Sequence, residues 1–256
     1  MTATPDAQRP DLSIVIPAYN ESARLPATLA SIAEYIIERN LNAEIIVADD
    51  GSDDDTADQA RAVTVRGQPV RVLQLAHRGK ASAVQAGMLA AIGRTILFTD
   101  ADLSTPIAYA DDLIAALDAG ADIAIGSREG LGATRVGEPG YRHIMGRVFN
   151  AVVRLLGVAN VRDTQCGFKA FRSKPAHDLF RRARLPGSAA PTRGPRVTGF
   201  DVEILFLARL RRYVVVEVPV YWEHASGSKV RPLTDSVRMF RDVLMVRVNA
   251  LRGLYR

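Results

Sequence analysis

The sequence is poor in several features that would define common classes of protein. It has one cysteine, Cys166, among 256 residues, which excludes an internal disulfide framework and a cysteine-rich zinc site and fits a reducing compartment. No apolar run approaches the roughly 18–20 residues that a transmembrane helix needs. The opening residues lack the apolar core of a signal peptide, so we expect residues 1–10 to form a flexible tail.

Several common motifs are also missing. No G-x-G-x-x-G follows a predicted strand, Gly79-Lys80 lacks the upstream glycine of a P-loop, and no G-x-S-x-G is present. The four histidines are scattered without metal-ligand spacing, so we expect each to be structural. Aromatic residues make up 6% of the chain and do not alternate with basic ones, which argues against nucleic-acid binding.

What is present is an ordinary globular composition with uneven charge. The chain is 48% hydrophobic and 24% charged, enough for one large domain with a substantial core. Residues 1–140 contain 11 Lys and Arg against 20 Asp and Glu, whereas residues 141–256 contain 22 against 8. The basic second half indicates a phosphate-bearing partner, such as a lipid head group or a phosphorylated substrate.

The first half alternates apolar runs with helical patterns. Such alternation predicts βαβ units and an α/β fold with a mostly parallel sheet covered by helices on both faces. The predicted strands are Leu12–Ile16, Glu44–Ala48, Val70–Leu75, Thr95–Thr99 and Asp122–Ile125, and the predicted helices are Ser22–Arg39, Asp53–Val65, Lys80–Ile92 and Pro106–Ala119.

The second half is less regular. We predict helices over Tyr141–Leu156, Phe200–Arg211 and Leu233–Leu251, a strand over Tyr213–Val218, and a mobile lid over residues 186–199. In the last helix Leu233, Val237, Phe240, Leu244 and Val248 recur at helical spacing amid basic residues. This helix could lie in a membrane interface or pack on the sheet.

The stretch FTDADLS ends the fourth predicted strand with two carboxylates, Asp100 and Asp102. Two carboxylates this close resist joint ionisation, so a cation is expected between them. In one interpretation they only face a helix capped by Ser104 or Thr105. In the other they bind Mg²⁺ or Mn²⁺ together with a diphosphate.

Polar residues follow each predicted strand. Right-handed crossovers bring the carboxyl ends of parallel strands to one edge, where ligands of open α/β sheets bind. This edge would gather PAYNE (17–21), DDGSDD (49–54), HRGK (77–80), DADLS (100–104) and GSRE (126–129). Asp50 could accept a hydrogen bond from a nucleotide base or ribose, or simply form a turn.

The motifs PAYNE, ADDGSDD, HRGKASAVQAG, TDADLS, GSRE, DTQCGFKAF and GFDVEIL occur here in one order. Together they resemble family 2 glycosyltransferases with the GT-A fold, over roughly residues 11–240. Within that family the chain resembles polyprenyl-phosphate (dolichyl-phosphate) sugar synthases, and the DTQCGFK form is similar to the dolichyl-phosphate glucosyltransferase branch.

This resemblance implies a UDP- or GDP-sugar donor, Mg²⁺ or Mn²⁺, inversion at the anomeric carbon and a lipid phosphate acceptor. It implies that Asp102 leads metal binding with Asp100, and that Arg128 meets a diphosphate or the acceptor phosphate. The other nucleotide-sugar residues would be Pro17, Tyr19, Glu21, Asp50 and Lys80, and the sugar and acceptor side would comprise Asp163, Thr164, Gln165, Lys169, Ser228 and Lys229.

A phosphate acceptor also suits the residue types. A phosphate monoester is largely dianionic at pH 7 and needs positioning and cations more than a strong base. Arg128, Arg142, Arg147 and Lys169 could supply cations, although at least one of Arg142 and Arg147 should simply be solvated. We expect Asp163 to act as base or to orient the sugar.

We therefore expect an inverting transferase that moves a hexose or N-acetylhexosamine from a UDP-sugar onto polyprenyl phosphate for cell-envelope glycan synthesis. Glucose is the first candidate sugar, and N-acetylgalactosamine or another UDP-hexosamine is the second. Alternatives are a GDP-mannose-dependent synthase and a transferase for a soluble phosphorylated acceptor. A phospho-receiver domain would leave the basic half unexplained.

The expected organisation is a tail over 1–10, a GT-A domain over 11–225 and a basic amphipathic helix over 226–256. The domain would divide into a nucleotide-binding half, 11–128, and an acceptor half, 129–225. The expected location is the cytoplasmic face of a membrane, reached through the last helix or a small membrane partner protein.

Overall fold

The computed structural model describes residues 9–137, 140–155, 161–185, 199–224 and 232–255, without the side chains of residues 141, 142, 155 and 232–237. The first half runs β1 (Leu12–Ala18), α1 (Leu25–Glu38), β2 (Ala43–Asp49), α2 (Thr56–Arg61), β3 (Thr64–Val65), β4 (Gln68–Pro69), β5 (Arg71–Gln74), α3 (Lys80–Ala90), β6 (Thr95–Thr99), α4 (Ala110–Asp118) and β7 (Ile123–Ser127). The second half runs β8 (Thr134–Val136), α5 (Gly140–Leu155), β9 (Phe168–Arg172), α6 (Ser173–Arg182), α7 (Phe200–Leu210), β10 (Val215–Pro219), β11 (Tyr221–Glu223) and α8 (Pro232–Leu251).

Seven strands form the main sheet, in the order β10-β7-β9-β6-β1-β2-β5. All neighbouring pairs are parallel except those of β9, which runs antiparallel between β6 and β7. The mostly parallel sheet is therefore confirmed. Because β9 is reversed, the residues before it lie at the edge where the parallel strands end, so the DTQCG stretch reaches the same edge as the DADLS loop.

Apolar side chains cover both faces of this sheet, as its continuous apolar strands predict. On one face α1 and α4 contribute to a core with Leu29, Ile32 and Leu113 at its centre. On the other face α3, α6, α7 and α8 contribute residues such as Met88 and Phe180. The sheet is held between two cores, so its strand ends are fixed in position.

The predicted helix over Asp53–Val65 is longer than the observed α2. Thr64 and Val65 instead pair with Gln68 and Pro69 in a small antiparallel ribbon. The turn between them places Arg66 and Gly67 at φ values of 52° and 80°. Two successive left-handed residues are the conformation of a tight hairpin, and it ends the helix early.

The N-terminal boundary also shifts. Arg9, which we placed in the flexible tail, donates from Nε to the Ile92 carbonyl at 2.6 Å and from Nη2 to the Gly93 carbonyl at 3.0 Å. The Pro10 carbonyl accepts a hydrogen bond from the Arg94 amide at 2.9 Å. The chain is thus anchored from Arg9 onward.

Helix α8 has two apolar faces. Met239, Val243 and Val246 are buried against the rest of the protein. A second row remains exposed, and we call it the outer stripe: Phe240, Leu244, Val248 and Leu251. Helix α8 therefore packs on the domain through one face and presents another to its surroundings. Among the residues that the structure describes, no helix is long and apolar enough to cross a membrane.

Candidate active site

The loops after β1 and β2 are joined side by side. The Asn20 amide donates to Ser52 Oγ at 2.9 Å, and Asn20 Oδ1 accepts from the Asp53 amide at 2.9 Å. The Glu21 amide donates to Thr56 Oγ1 at 2.9 Å. Asn20 adopts φ 52°, a left-handed conformation that Asn tolerates well. The PAYNE loop, which carries Pro17, Tyr19 and Glu21, is fixed by these bonds.

Asp50 is buried under the loop that follows β5. Its carboxylate accepts hydrogen bonds from the Arg78 and Gly79 amides at 2.9 and 2.7 Å, and lies 2.7 Å from His77 Nδ1. Only 2% of Asp50 is exposed. The Asp50 oxygens shape the 77–79 loop, and the contact of Asp50 with a nucleotide base or ribose stays a prediction.

His77 was not among the predicted site residues. Its ring is stacked on that of Tyr19, with centroids 3.9 Å apart and planes 3° from parallel. The contact to Asp50 fixes the plane of the imidazole, so the pair forms one rigid aromatic unit beside the PAYNE loop. The only sequence signal for His77 was its place after a predicted strand at the ligand-binding edge.

The two carboxylates of FTDADLS lie in a turn and not in a continued strand. Lys80 Nζ lies 2.5 Å from Asp100 Oδ1, and the Ser104 amide donates to Asp102 Oδ1 at 3.0 Å. Leu103 between them has φ 45°. Burial raises the pKa of Asp100, with the negative charge of Asp102 adding to the rise and Lys80 opposing it.

The surroundings of Asp100 fit a divalent cation. Asp100 Oδ1 is buried and lies 2.5 Å from the Lys80 ammonium, whose single charge offsets one of the two carboxylates and leaves the charge of the other uncompensated. Gly167 lies directly against this carboxylate, where a side chain would leave no room. Within the described residues no group of three or more His, Cys, Asp or Glu could hold a metal. A cation here would take the two carboxylates and draw further oxygens from a phosphate, as Mg²⁺ commonly does.

Arg128 and Asp163 form a buried pair at the end of β7. Arg128 donates from Nε to Asp163 Oδ2 at 2.7 Å and from Nη2 to Oδ1 at 2.9 Å. The Arg128 and Gln165 amides also donate to the Asp163 carboxylate, at 3.0 and 3.2 Å. Burial alone would raise the pKa of Asp163, but the charge and hydrogen bonds of Arg128 lower it well below its usual range.

This arrangement argues against the base role that we predicted for Asp163. A carboxylate with a strongly lowered pKa accepts a proton poorly, and its oxygens already receive four donated hydrogen bonds. Its position suits it to orient Arg128. Trp222 of β11 supports the same guanidinium, whose Cζ lies 5.2 Å from the ring centroid. Trp222 was not predicted, because β11 is only three residues long.

Lys169 is buried beneath the edge and does not face outward. Its Nζ lies 2.6 Å from Asp201 Oδ1 of the GFDVEIL motif and donates to the Cys166 carbonyl at 2.5 Å. The ammonium groups of Lys169 and Lys80 lie 5.9 and 5.5 Å from the centroid of the Phe98 ring. Lys169 thus supports the floor of the site, and Asp201 is a second partner that the sequence did not identify.

The remaining predicted residues divide into two groups. Thr164 is buried, with its hydroxyl donating to Asn150 Oδ1 at 2.7 Å, and Gln165 lies near Met239 of α8. Ser228, Lys229 and the predicted lid, up to residue 198, lie outside the described residues, as does the side chain of Arg142. Arg147 is exposed on α5. Burial raises the pKa of the Cys166 thiol to about 11, consistent with a packing role.

The sheet and its carboxyl edge define a class of protein. A pair of carboxylates, a lysine, an ion-paired arginine and an aromatic pair meet where open α/β sheets bind ligands, and this matches the nucleotide-sugar transferases of the GT-A fold that the sequence motifs resemble.

Comparison with known proteins agrees with that class. Residues 13–180 match Glycosyl transferase family 2, and the chain belongs to this family. The dolichyl-phosphate beta-glucosyltransferase of Drosophila melanogaster is 37% identical to it over 266 residues, which cover 98% of this chain and 78% of that protein. The protein of the same name from Homo sapiens is 32% identical, with 98% and 79% covered, and that from Saccharomyces cerevisiae is 31% identical, with 96% and 76% covered.

Solved structures confirm the fold. Glucosyl-3-phosphoglycerate synthase from Mycobacterium tuberculosis, in complex with Mn²⁺, UDP-glucose and glycerol 3-phosphate, superposes with a TM-score of 0.63 at 21% identity, covering 95% of this chain and 80% of that chain. The same synthase in complex with UDP gives 0.62 at 22% identity, covering 94% and 81%. The expected GT-A fold and glycosyltransferase class are therefore confirmed.

Proposed function

We propose that this glycosyltransferase transfers a hexose, with glucose the first candidate, from a UDP-sugar to a polyprenyl phosphate with inversion at the anomeric carbon. The observation that carries the proposal is the convergence of Asp100, Asp102, Lys80 and Arg128 at one edge of the sheet. Full-length similarity to dolichyl-phosphate beta-glucosyltransferases supports the choice of acceptor and sugar.

The donor would lie across the edge from β2 to β7. The flat Tyr19–His77 unit offers a surface for a nucleotide base beside the PAYNE loop. Lys80 at the amino end of α3, together with the positive end of that helix, would meet the diphosphate. Asp100 and Asp102 would hold Mg²⁺ or Mn²⁺, which would neutralise charge on the departing nucleotide diphosphate.

The acceptor would approach from the Arg128 side. Arg128, oriented by Asp163 and Trp222, is placed to bind a phosphate while keeping its guanidinium plane fixed. A phosphate oxygen that is already ionised can attack the anomeric carbon directly, so no side chain needs to remove a proton. The role of Asp163 in this scheme is to position Arg128. Residues 129–225 would serve as the acceptor half, and Ser228 and Lys229 would complete it.

Membrane contact would come through α8. Its outer stripe is exposed while basic residues, Arg238, Arg241 and Arg252, lie elsewhere on the segment. Apolar and basic side chains on one surface helix suit an interface with anionic lipid. We propose peripheral association with the cytoplasmic face of a membrane, either directly or with a membrane partner protein.

The decisive experiment supplies radiolabelled UDP-glucose, UDP-N-acetylgalactosamine and GDP-mannose separately, each with polyprenyl phosphate and Mn²⁺. Transfer of label into organic solvent from UDP-glucose is the expected result, and a preference for another donor would correct the sugar. Matched reactions with glycerol 3-phosphate test a soluble acceptor. If label stays in the aqueous phase with every donor while glycerol 3-phosphate is glucosylated, the acceptor is a soluble phosphorylated compound and not a lipid.

A further inference from the structure

A cleft of about 1050 Å³ lies far from the candidate active site, and we call it the rear cleft. It is bounded by the start of the described chain, the residues after α3, helix α6 and the turn between α7 and β10. These segments meet at the amino-terminal edge of the parallel strands, opposite the edge that carries Asp100 and Arg128. The rear cleft is lined by Arg9, Ile92, Ser173, Lys174, His177, Asp178, Arg181, Arg182, Arg211 and Tyr213.

Its lining is strongly cationic. Five of the lining side chains are Lys or Arg, and one is a carboxylate, Asp178. Like charges in this number repel one another across a concave surface, where neighbouring low-dielectric walls strengthen the field. An anionic ligand would relieve that repulsion. In the proposed reaction, neither the sugar donor nor the acceptor phosphate contacts these cationic residues.

Asp178 organises part of this charge. Arg182 Nε donates to Asp178 Oδ1 at 2.9 Å, and Arg211 Nε donates to Oδ2 at 2.9 Å. The Tyr213 hydroxyl donates to the same Oδ2 at 3.0 Å. One carboxylate therefore holds two guanidinium groups side by side through their Nε atoms. Arg211 also contacts the Tyr213 side chain, and because Asp178 engages the Nε atoms, the terminal nitrogens of the two guanidinium groups can face a planar or tetrahedral oxyanion.

Two further cationic side chains lie at the rim of the rear cleft. Lys174 and Arg181 are exposed on α6 and form no ion pair with any described residue. Arg9 is held by the Ile92 and Gly93 carbonyls, which satisfy hydrogen bonds without neutralising its charge. His177 lies 3.0 Å from the Ala91 carbonyl through Nε2. The rear cleft thus combines two positioned arginines with adaptable cations around them.

We propose that the rear cleft is a binding site for a small phosphorylated anion, separate from the site of sugar transfer. Two guanidinium groups fixed by one carboxylate suit the several acceptor oxygens of a phosphate or diphosphate. The phosphate could belong to a free phosphorylated compound or to a lipid head group. The site is independent of the proposed reaction, because none of its lining residues belongs to the sugar-transfer edge.

The test is protection of arginines from phenylglyoxal, mapped residue by residue by mass spectrometry on the full chain. Inorganic pyrophosphate serves as the soluble probe, and vesicles of phosphatidylcholine with and without phosphatidic acid serve as the lipid probe. At a concentration about ten times its dissociation constant, a bound anion should slow labelling of Arg182 and Arg211 about tenfold. Arg61 is the matched control, since it is 43% exposed against 41% for Arg211 and is also paired with an aspartate.

The double substitution Lys174→Ala and Arg181→Ala supplies a second measurement. It removes exposed charges that pair with nothing in the described structure, so it should fold normally and bind UDP as the unchanged protein does. Because two charged contacts are lost, we expect the pyrophosphate concentration that half-protects Arg182 and Arg211 to rise about tenfold. Protection by pyrophosphate supports a soluble ligand, and protection by phosphatidic acid vesicles alone supports a lipid head group. Labelling unchanged by both probes, or slowed equally at Arg61, overturns the proposal.

Discussion

Gly167 lies directly against the carboxylate of Asp100. A methyl group on its Cα would lie 2.1 Å from Asp100 Oδ2 and 2.5 Å from Cγ, far inside van der Waals contact. The DTQCG stretch, which precedes the antiparallel strand β9, thereby forms the wall behind the DADLS turn. The position of one carboxylate of the proposed metal site depends on the absence of a side chain 67 residues away along the chain.

Substitution of Gly167 by Ala should therefore displace Asp100 while leaving the fold intact. The carboxylate is the flexible end of a side chain and can move, but a shift of about 1 Å at a catalytic centre can cost about a hundredfold in rate. We expect turnover to fall by that order and the Mn²⁺ concentration for half-maximal activity to rise. Gly146→Ala is the control, because nothing lies within 4 Å of the Cβ it would add. Equal activity in both variants would contradict the packing argument.

Substitution of Asp102 by Asn should abolish turnover without unfolding the protein. The change keeps the acceptor oxygen that binds the Ser104 amide and removes the negative charge that a divalent cation requires. Asp112→Asn, on the exposed first turn of α4, makes the same chemical change away from the site. Thermal unfolding and sugar-transfer rates of the two variants separate the roles, and near-normal activity of Asp102→Asn would remove it from the metal site.

Much of this site could be predicted from local patterns. The apolar runs before Asp100 and Arg128 are strands, and the ends of parallel strands share an edge, so both residues were placed correctly by alternation alone. Pairings that link distant parts of the chain could not be predicted. Lys169 was expected on the sugar and acceptor side, yet strand β9 turns it inward to Asp201. The roles of Trp222 and Gly167 likewise depend on a three-residue strand and a reversed strand.

The buried Arg128–Asp163 pair should matter more for stability than exposed pairs do. Removing one partner of a buried ion pair costs about 3 kcal/mol, whereas an exposed pair such as Arg39–Asp111 contributes less than about 1 kcal/mol. We therefore expect Asp163→Asn to lower the free energy of unfolding at pH 7 far more than Asp111→Asn does, as measured by urea denaturation.

The sign of the pH dependence follows from the lowered pKa of Asp163. A carboxyl with a lowered folded pKa stabilises the protein above its unfolded value, about 3.9 for Asp, and that contribution is lost as pH falls through the folded value. The difference in the free energy of unfolding between the wild-type protein and Asp163→Asn should therefore decrease below about pH 3.9. In the pH profile of kcat/KM, an acidic limb that disappears in Asp163→Asn would restore the base role.

Trp222 should act through Arg128. Loss of its ring removes a cation–π contact worth about 1–2 kcal/mol, so Trp222→Ala should lower kcat/KM about tenfold, and Trp222→Phe should retain most of it. In a background that already carries Arg128→Ala, the change of Trp222 to Ala should have little further effect. Additive losses in this double-mutant cycle would mean that Trp222 contacts the substrate independently.

The outer stripe of α8 should attach the enzyme to membranes. Leu244 and Val248 are 43% and 38% exposed, so replacing both by Ser should cost little stability. Each apolar side chain that enters a lipid interface contributes on the order of 1 kcal/mol. The double variant Leu244→Ser/Val248→Ser should therefore lose about 2 kcal/mol of membrane binding. We expect its partition constant for anionic vesicles, measured by flotation, to fall more than tenfold, because about 1.4 kcal/mol corresponds to a factor of ten in an equilibrium constant.

The matched control is Ile37→Ser/Leu89→Ser, which removes two exposed apolar side chains from α1 and α3. Because these helices cover opposite faces of the sheet, the two side chains do not form one continuous apolar surface. Their replacement should leave flotation unchanged. Transfer to polyprenyl phosphate in vesicles should decline with flotation in the α8 variant, while UDP binding stays at its original value. Because UDP binding needs no membrane, a parallel loss of both would mean that the outer stripe supports the active site and not the lipid surface.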